Sequence, residues 1–229
     1  YRITVEADVG PGLSVFDIVG LPDASVRESR ERVRAAIKNS GFDFPLRRIT
    51  VNLAPADIRK EGPFLDLPIA LGILAATGQL SDAALACLAT AAVCGELSLD
   101  GHLRPVSGVL AMADQISREP ELDSFFLPEA NAEEAAIVAD LRVFAVASLR
   151  EMTEGLEGQR QLCPTQVDTA ALFAKGQGGQ RLDMADVRGQ QAAKRALTIA
   201  AAGAHNILLL GPPGSGKTML ARRLPGILP

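Results

Sequence analysis

"VNLAPADIRKEGPFLDLPIALGIL", residues 51–74, passes from an alternating pattern through a Gly-Pro loop into an apolar run. Ile49, Val51 and Leu53 alternate with polar neighbours, which is typical of a half-buried strand. The following segment, "DLPIALGILAATGQL" from Asp66 onward, is mostly apolar and predicts a buried helix. The stretch therefore predicts a strand, a loop and a helix in succession.

The flanking sequence extends this pattern in both directions. Residues 3–9 alternate like a strand, and apolar side chains recur at helical spacing from Ala24 to Asn39. The dipeptide Asp100-Gly101 predicts a hairpin turn, and alternating helices and strands are expected to about residue 157. The fold class predicted for this part is α/β with a mixed (α+β) sheet.

Composition excludes several classes of function. The chain has 229 residues, 48% of them hydrophobic, with no Trp and one Tyr, so a core is available but aromatic surface for base stacking is scarce. The longest run without a charged residue, Ala196 to Gly216, contains two prolines, His205 and Asn206, and does not predict a membrane span. We therefore expect no membrane partner.

The start of the sequence and the cysteines indicate the cellular setting. Residue 1 is Tyr, and the first ten residues already resemble a strand, so the sequence is expected to begin inside a longer chain without a signal peptide. Cys87, Cys94 and Cys163 have no disulfide or zinc spacing. A reducing, cytoplasmic location is the expectation.

Charge divides the chain into two parts. Residues 1–164 carry 15 basic and 24 acidic side chains, whereas residues 165–229 carry eight basic and three acidic ones. A Gly/Gln cluster from Gly176 to Gln180 indicates a connector between them. We predict domains at residues 1–164 and 183–229, joined by a linker at 165–182.

The second part contains a phosphate-binding motif. In "NILLLGPPGSGKTMLARRL", residues 206–224, we predict a strand from Ile207 to Leu210, a GxxxxGKT loop, and a helix from Met219 to Leu224. A helix from about Gln190 to Ala202 precedes it. Glycines let backbone N–H groups surround phosphate oxygens, a lysine supplies a cation, a threonine hydroxyl binds Mg²⁺, and a helix N-terminus favours the anion. The predicted ATP-binding residues are Gly211, Pro212, Pro213, Gly214, Ser215, Gly216, Lys217 and Thr218.

Two further assignments belong to this motif. Thr218 is the candidate Mg²⁺ ligand, so that ATP and Mg²⁺ are the expected cofactors. Val187 lies in a segment, Asp186 to Gln190, that either packs on the adenine or forms a simple helix-entry turn.

The segment from Asp186 to the last residue, including this motif, resembles the opening of the AAA+ module in the magnesium-chelatase-like ATPases of the ComM (YifB) family. In that family the module continues to a Walker B strand, sensor residues and an arginine finger. The resemblance therefore implies a truncated P-loop module, and we predict that these 229 residues alone do not hydrolyse ATP.

Residues 51–74 and "CGELSLDGHLRPVSGVLAMA", residues 94–113, resemble the N-terminal domain of the same family. That domain is related to the proteolytic domain of Lon, to the C-terminal domain of the repair ATPase RadA and to the second domain of a small-subunit ribosomal protein. Lon carries a serine nucleophile in a K-[DE]-G-P-S loop, whereas Phe64 stands there in this chain. The partner lysine falls on Leu110, and Ser107 has no base at a justified spacing. A Lon-like domain without protease activity is expected.

One helix offers a candidate DNA contact. Arg27, Arg34 and Lys38 are spaced seven and four residues apart, with Arg30 beside them, so they share one helical face. Glutamates are interleaved, and a solvated face is the alternative. His102 and His205 have no metal-binding partners at a suitable spacing and are interpreted as a surface and a structural residue.

Three functions remain open. The resemblance favours a hexameric AAA+ DNA helicase that drives branch migration in recombination during natural transformation. A magnesium-chelatase motor is the second, although a chelatase ATPase subunit lacks a Lon-like domain of this size. A non-enzymatic ATP-binding scaffold is the third.

Overall fold

A computed structural model describes residues 1–168 and 182–228. By its contacts the chain divides into Tyr1–Val167, called unit 1, and Asp168–Pro229, called unit 2. Part of the predicted linker, including the Gly/Gln cluster, lies outside the described residues.

Unit 1 begins with a three-stranded mixed sheet, sheet 1. Strand β3 (Arg48–Ala54) is central, with β1 (Thr4–Gly10) antiparallel on one side and β2 (Phe16–Val19) parallel on the other. Ile49, Val51 and Leu53 of β3 are buried because they face the helices that cover one side of the sheet. The alternation in the sequence predicted β1 and β3 correctly, and the predicted mixed sheet is present.

Two helices cover sheet 1. Helix α1 (Ala24–Asn39) begins after Asp23, whose side chain accepts a hydrogen bond of 2.8 Å from the Val26 N–H. Helix α2 (Asp66–Ala76) is apolar on all sides because it packs between α1 and sheet 1. Both helices were predicted, and α1 has the predicted bounds.

A second sheet, sheet 2, was not predicted as a separate layer. It contains β4 (Ala91–Val93), β7 (Ser124–Pro128) and β8 (Arg142–Val146), all parallel, with β7 in the centre. Every residue of β7 is buried, because both faces of this sheet are covered. A continuous apolar run without alternation gives no sequence signal that assigns it to one sheet or another.

The predicted hairpin follows β4 of sheet 2 in the chain. Strands β5 (Glu96–Leu97) and β6 (Leu103–Arg104) pair in antiparallel fashion around Asp100-Gly101, as predicted. The remaining helices of unit 1 are α3 (Asp82–Ala89), α4 (Val109–Ile116), α5 (Ala132–Ala135) and α6 (Leu149–Leu156).

Two hydrophobic clusters fill unit 1. The larger lies among sheet 1, α1, α2 and α6, and the smaller joins sheet 2 to α4 and α5. Phe126 of β7 belongs to the first cluster, whereas Phe125 and Leu127 belong to the second. Sheet 2 therefore separates the two clusters.

Unit 2 contains helix α7 (Gln191–Ala202), as predicted, and the short helix α8 (Lys217–Ala221). The predicted strand from Ile207 to Leu210 is wrong. Its alternation is present, since Ile207 and Leu209 pack on the small core of unit 2 while Leu208 and Leu210 are exposed, but no strand of the described residues pairs with it.

The predicted helix after the loop also differs in its bounds. Helix α8 starts at Lys217, directly after Gly216, and ends at Ala221. A short 3-10 turn, Leu224–Ile227, follows it. Pro225 lacks the N–H that an α-helix would need and prevents α8 from continuing.

Candidate functional site

The GxxxxGKT loop has a backbone that depends on its glycines. Gly214 and Gly216 have φ angles of 77° and 84°, in the left-handed region that favours glycine. A Cβ on Gly211 would lie 3.0 Å from the Ser215 Oγ atom, which is tighter than ordinary contact. Gly216, which the motif specifies, and Gly214, which it does not, therefore favour glycine by conformation, whereas Gly211 does so by close contact.

The loop lysine lies across the loop itself. Lys217 Nζ donates hydrogen bonds of 2.7 Å to the carbonyl oxygens of Gly211 and Pro212, and lies 3.4 Å from Ser215 Oγ. Thr218 is exposed. The N–H groups of Lys217 and Thr218 open helix α8 and have no acceptor within that helix.

Helix α8 is attached to unit 2 by one apolar and one polar anchor. Leu220 is buried with Met184, Val187 and Leu197. Arg223 donates from Nε to the Asp183 carbonyl at 2.8 Å and from Nη1 to the Met219 carbonyl at 3.0 Å. The contacts of Arg223 could not be predicted from the sequence, because the acceptors are backbone atoms.

Val187 is a core residue of unit 2. Only 3% of it is exposed, and its carbonyl accepts a hydrogen bond from Lys194 Nζ. The preceding residues, Met184–Asp186, form a 3-10 turn capped by Asp183. A contact between Val187 and adenine stays a prediction.

The loop fits a nucleotide with Mg²⁺. Left-handed glycines, a lysine amine at the mouth of the loop and an exposed threonine hydroxyl are the donor set that triphosphate oxygens and their metal require. Lys217 would hold the phosphates with the backbone N–H groups of the loop, and Thr218 would be the metal ligand. The bound group would supply the phosphoryl chemistry.

The "KEGPFLD" segment of unit 1 is built around packing. Gly62 has a φ of 93° and precedes a 3-10 turn, Pro63–Leu65. The Phe64 side chain packs against both hydrophobic clusters, and its carbonyl accepts a 2.8 Å hydrogen bond from the Gly95 N–H. Lys60 is fully buried, and its Nζ donates to the Pro55 carbonyl. Phe64, which the resemblance to Lon aligns with a serine nucleophile, thus has a packing role in unit 1.

A buried polar cluster that the sequence analysis missed lies beside this segment. Asp66 is fully buried and accepts hydrogen bonds from Arg32 at 2.6 and 3.0 Å, from the Leu97 N–H at 3.2 Å and from the Ser29 hydroxyl. The hydrogen bond to Asp66 raises the pKa of the Arg32 guanidinium. The sequence signal for this cluster was the single carboxylate of Asp66 at the start of the apolar helix α2.

Other residues that peptidase or metal chemistry would need are not brought together. Ser107 is exposed just before α4, and Leu110 is exposed in the first turn of that helix. His102 and His205 are both exposed, and no group of His, Cys, Asp or Glu among residues 1–168 and 182–228 is arranged to hold a metal ion. The strand predicted after His205 is absent, so the structural role at a strand entrance that was assigned to His205 is wrong.

The three cysteines are free thiols. Cys87 and Cys163 are exposed, whereas Cys94 is buried in the smaller cluster of unit 1. Burial raises the pKa of the Cys94 thiol to about 12.

The candidate DNA-contacting residues occupy the outer side of α1. Arg27, Arg30 and Lys38 are exposed, and the guanidinium of Arg34 lies 5.0 Å from the centre of the Phe44 ring. Arg30 also donates from Nη1 to the Phe16 carbonyl at 3.3 Å. Arg32, on the same helix, is held by Asp66 and does not belong to this face.

Comparison with known proteins identifies the family. Residues 5–131 match the family described as subunit ChlI of Mg-chelatase, and residues 183–229 match the family described as magnesium chelatase, subunit ChlI. "Competence protein ComM" of Haemophilus influenzae is 46% identical over 232 residues, which is 99% of this chain and 44% of that protein. The chain belongs to the ComM (YifB) family.

Two other relatives cover the same part. The YifB protein of Salmonella typhimurium is 44% identical over 228 residues, and an uncharacterized protein of Mycobacterium tuberculosis is 41% identical over 229 residues. In each pair 99% of this chain aligns with 43% of the relative. The chain thus spans less than half the length of these members of the ComM (YifB) family. Among the described residues, no helix is long and apolar enough to cross a bilayer.

Proposed function

We propose that the protein acts as an ATP-dependent AAA+ motor on DNA, as a hexameric helicase that promotes branch migration during natural transformation. The observation that supports this proposal is the GxxxxGKT loop at residues 211–218, with left-handed Gly214 and Gly216 and with Lys217 Nζ on the carbonyls of Gly211 and Pro212. The name of the Haemophilus influenzae relative, a competence protein, supports the biological setting.

In this proposal the two units have different tasks. Unit 2 is the start of the ATPase module, with Lys217 on the phosphates and Thr218 on Mg²⁺. Unit 1 contains the predicted domain at residues 1–164, a Lon-like domain without protease chemistry that supports the ring. The outer side of α1 contacts the DNA backbone through Arg27, Arg30, Arg34 and Lys38.

The binding step is tested with the chain itself. Lys217→Ala removes the cation that neutralises phosphate charge, and we expect the affinity for a fluorescent ATP analogue to fall at least about tenfold. Arg195→Ala removes an exposed cation on α7 of the same unit and serves as the matched control. Equal affinities of the two variants would contradict the assignment of the loop.

A magnesium-chelatase motor is the second candidate, because both matched families carry that description. ATP hydrolysis by the full-length protein, measured with and without forked or four-way DNA, separates the candidates. DNA-stimulated hydrolysis with strand displacement supports the DNA motor, and hydrolysis that ignores DNA supports the chelatase-like motor. No hydrolysis would leave a non-enzymatic scaffold.

The DNA contact has its own test. Reversal of charge at Arg27, Arg30 and Arg34 should weaken DNA binding and reduce its dependence on salt. DNA affinity and salt dependence equal to those of the unmodified protein would exclude this helix face.

A further inference from the structure

Strand β2 is an edge strand with an apolar stripe on its exposed face. In sheet 1 the order is β1-β3-β2, so one side of β2 pairs with β3 and the other side pairs with no strand of the described residues. Such an edge is a template for another extended segment.

The stripe follows the two-residue period of a strand. Leu13, Val15, Val19 and Leu21 are 86%, 42%, 44% and 55% exposed, and they alternate with Phe16 and Ile18, which belong to the larger core of unit 1. Asp17 stands at the centre of the stripe. Val19 belongs to β2 and Val15 directly precedes it, whereas Leu13 lies in a bend before the strand and Leu21 follows it with a left-handed φ, so Val15 and Val19 are the apolar side chains that flank Asp17 on the strand itself.

The backbone along this edge has hydrogen-bonding groups that point outward. The carbonyls of Val15 and Leu21 accept hydrogen bonds from Ile49 and Lys60, on the inner side. Backbone groups alternate in direction along a strand, so those of Phe16 and Ile18 point to the open side. The Phe16 carbonyl on this side already accepts a hydrogen bond of 3.3 Å from Arg30 Nη1, which a peptide N–H would have to replace.

One end of β2 is held in place. Gly20 has a φ of 97°, and a Cβ there would lie 2.1 Å from the Leu53 carbonyl oxygen. Leu21, a non-glycine residue, has a φ of 56° and is followed by a bridge between Pro22 and Lys60. The edge is therefore a fixed surface, which reduces the entropy cost of pairing.

We propose that this edge binds an extended peptide segment with apolar residues on either side of a lysine or arginine, which adds to sheet 1 as a fourth strand. The apolar side chains of the segment would pack on Val15 and Val19, and its basic side chain would face Asp17. Glu6 and Asp8 lie on the same open face and favour a basic segment. This function goes beyond the ATP-driven motor.

The charge of Asp17 distinguishes such a peptide from a second copy of the chain. If two copies of β2 paired in antiparallel fashion about Asp17, Leu13 would face Leu21, but the two Asp17 carboxylates would face each other. Like charges directly opposite destabilise a strand pair. A segment of opposite charge at this position is the better partner.

The experiment uses the 229-residue chain and two capped peptides. In each peptide the residues Val, Xaa and Val occupy every second position, with Ser or Thr between them, and Xaa is Lys in one peptide and Glu in the other. Binding is measured by NMR titration and by competition with a fluorescein-labelled Lys peptide. The Lys peptide should bind at least about fivefold more tightly than the Glu peptide, and Asp17→Lys should reverse this preference. Asp114→Lys makes the same charge change at an exposed carboxylate of α4, outside sheet 1, and is the matched control that should leave the preference unchanged.

Backbone pairing is tested separately. A Lys peptide N-methylated at its central amides should lose at least about tenfold in affinity, because it no longer donates to the strand edge. Three results would each overturn the proposal. Neither peptide binds, the N-methylated peptide binds as tightly as the unmodified Lys peptide, or the chain associates with itself in a way that Asp17→Lys alters without any effect on peptide binding. Since none of these measurements includes nucleotide or DNA, their failure is distinct from a failure of the proposed motor.

Discussion

Asp66→Ala tests whether the buried polar cluster holds unit 1 together. The substitution leaves three donors without their acceptor, namely the Leu97 N–H, the Ser29 hydroxyl and the Arg32 guanidinium. Each buried donor that loses its partner costs about 1–3 kcal/mol. Arg32 contributes least, because 21% of its side chain is exposed and can turn to water.

The expected loss is about 3 kcal/mol, at the lower end of the range for breaking a buried ion pair. Asp114→Ala is the matched control. Its carboxylate pairs with Arg118, which lies two residues beyond the end of α4; 58% of the Asp114 side chain and 68% of the Arg118 side chain are exposed, and the pair should contribute at most about 0.5 kcal/mol.

The free energy of unfolding is measured by urea titration with far-ultraviolet circular dichroism, and exchange of the Leu97 amide by NMR reports on the site itself. We expect the Leu97 amide to exchange faster in Asp66→Ala and at its normal rate in Asp114→Ala. A loss below about 1 kcal/mol, or equal losses in the two variants, would refute the reasoning that the cluster stabilises this domain.

Two further predictions follow from the structure of unit 1. Because the Cys94 pKa is raised to about 12, a disulfide reagent at pH 8 should modify Cys87 and Cys163 rapidly and Cys94 only after unfolding. The Cys94 thiol releases its proton at lower pH in the unfolded chain than in the folded chain. Its contribution to the free energy of unfolding is therefore complete below pH 9 and should decline towards pH 12. Cys94→Ala is the control, and its free energy of unfolding should lack this decline. Phe64→Ser should yield no labelling by a fluorophosphonate, because the resemblance to Lon implies Leu110 in the place of the activating lysine, and it should lower stability by about 2 kcal/mol through lost packing in two clusters. Labelling of Phe64→Ser, or an unchanged unfolding midpoint, would contradict the interpretation of this loop.

Local patterns in the sequence were sufficient for the elements that carry their own signals. The period of α1, its Asp23 cap and the alternation of β1 and β3 are visible within a few residues, and the structure has them. The GxxxxGKT glycines likewise predict a backbone that needs left-handed conformations, and two of them adopt it.

The features that the sequence did not predict depend on distant partners. The pairing of Asp66 with Arg32 joins residues 34 positions apart, and neither residue alone indicates the other. Residues 207–210 have the alternation of a strand, but a strand also needs a neighbour to pair with. Sheet 2 was missed for a similar reason, because the apolar run of β7 does not identify its neighbours.

The contact between Arg150 and the Ser40 carbonyl has a consequence for the order of events during synthesis. Ser40 ends helix α1, and its carbonyl accepts hydrogen bonds of 3.2 and 3.0 Å from a side chain 110 residues later. At about 5–20 residues per second, a ribosome needs roughly 5–20 s to add that residue after Ser40 has been made. The apolar side of α1 can pack on α2 as soon as residues 66–76 have been made, whereas the carbonyl at its C-terminal end stays hydrated until Arg150 follows.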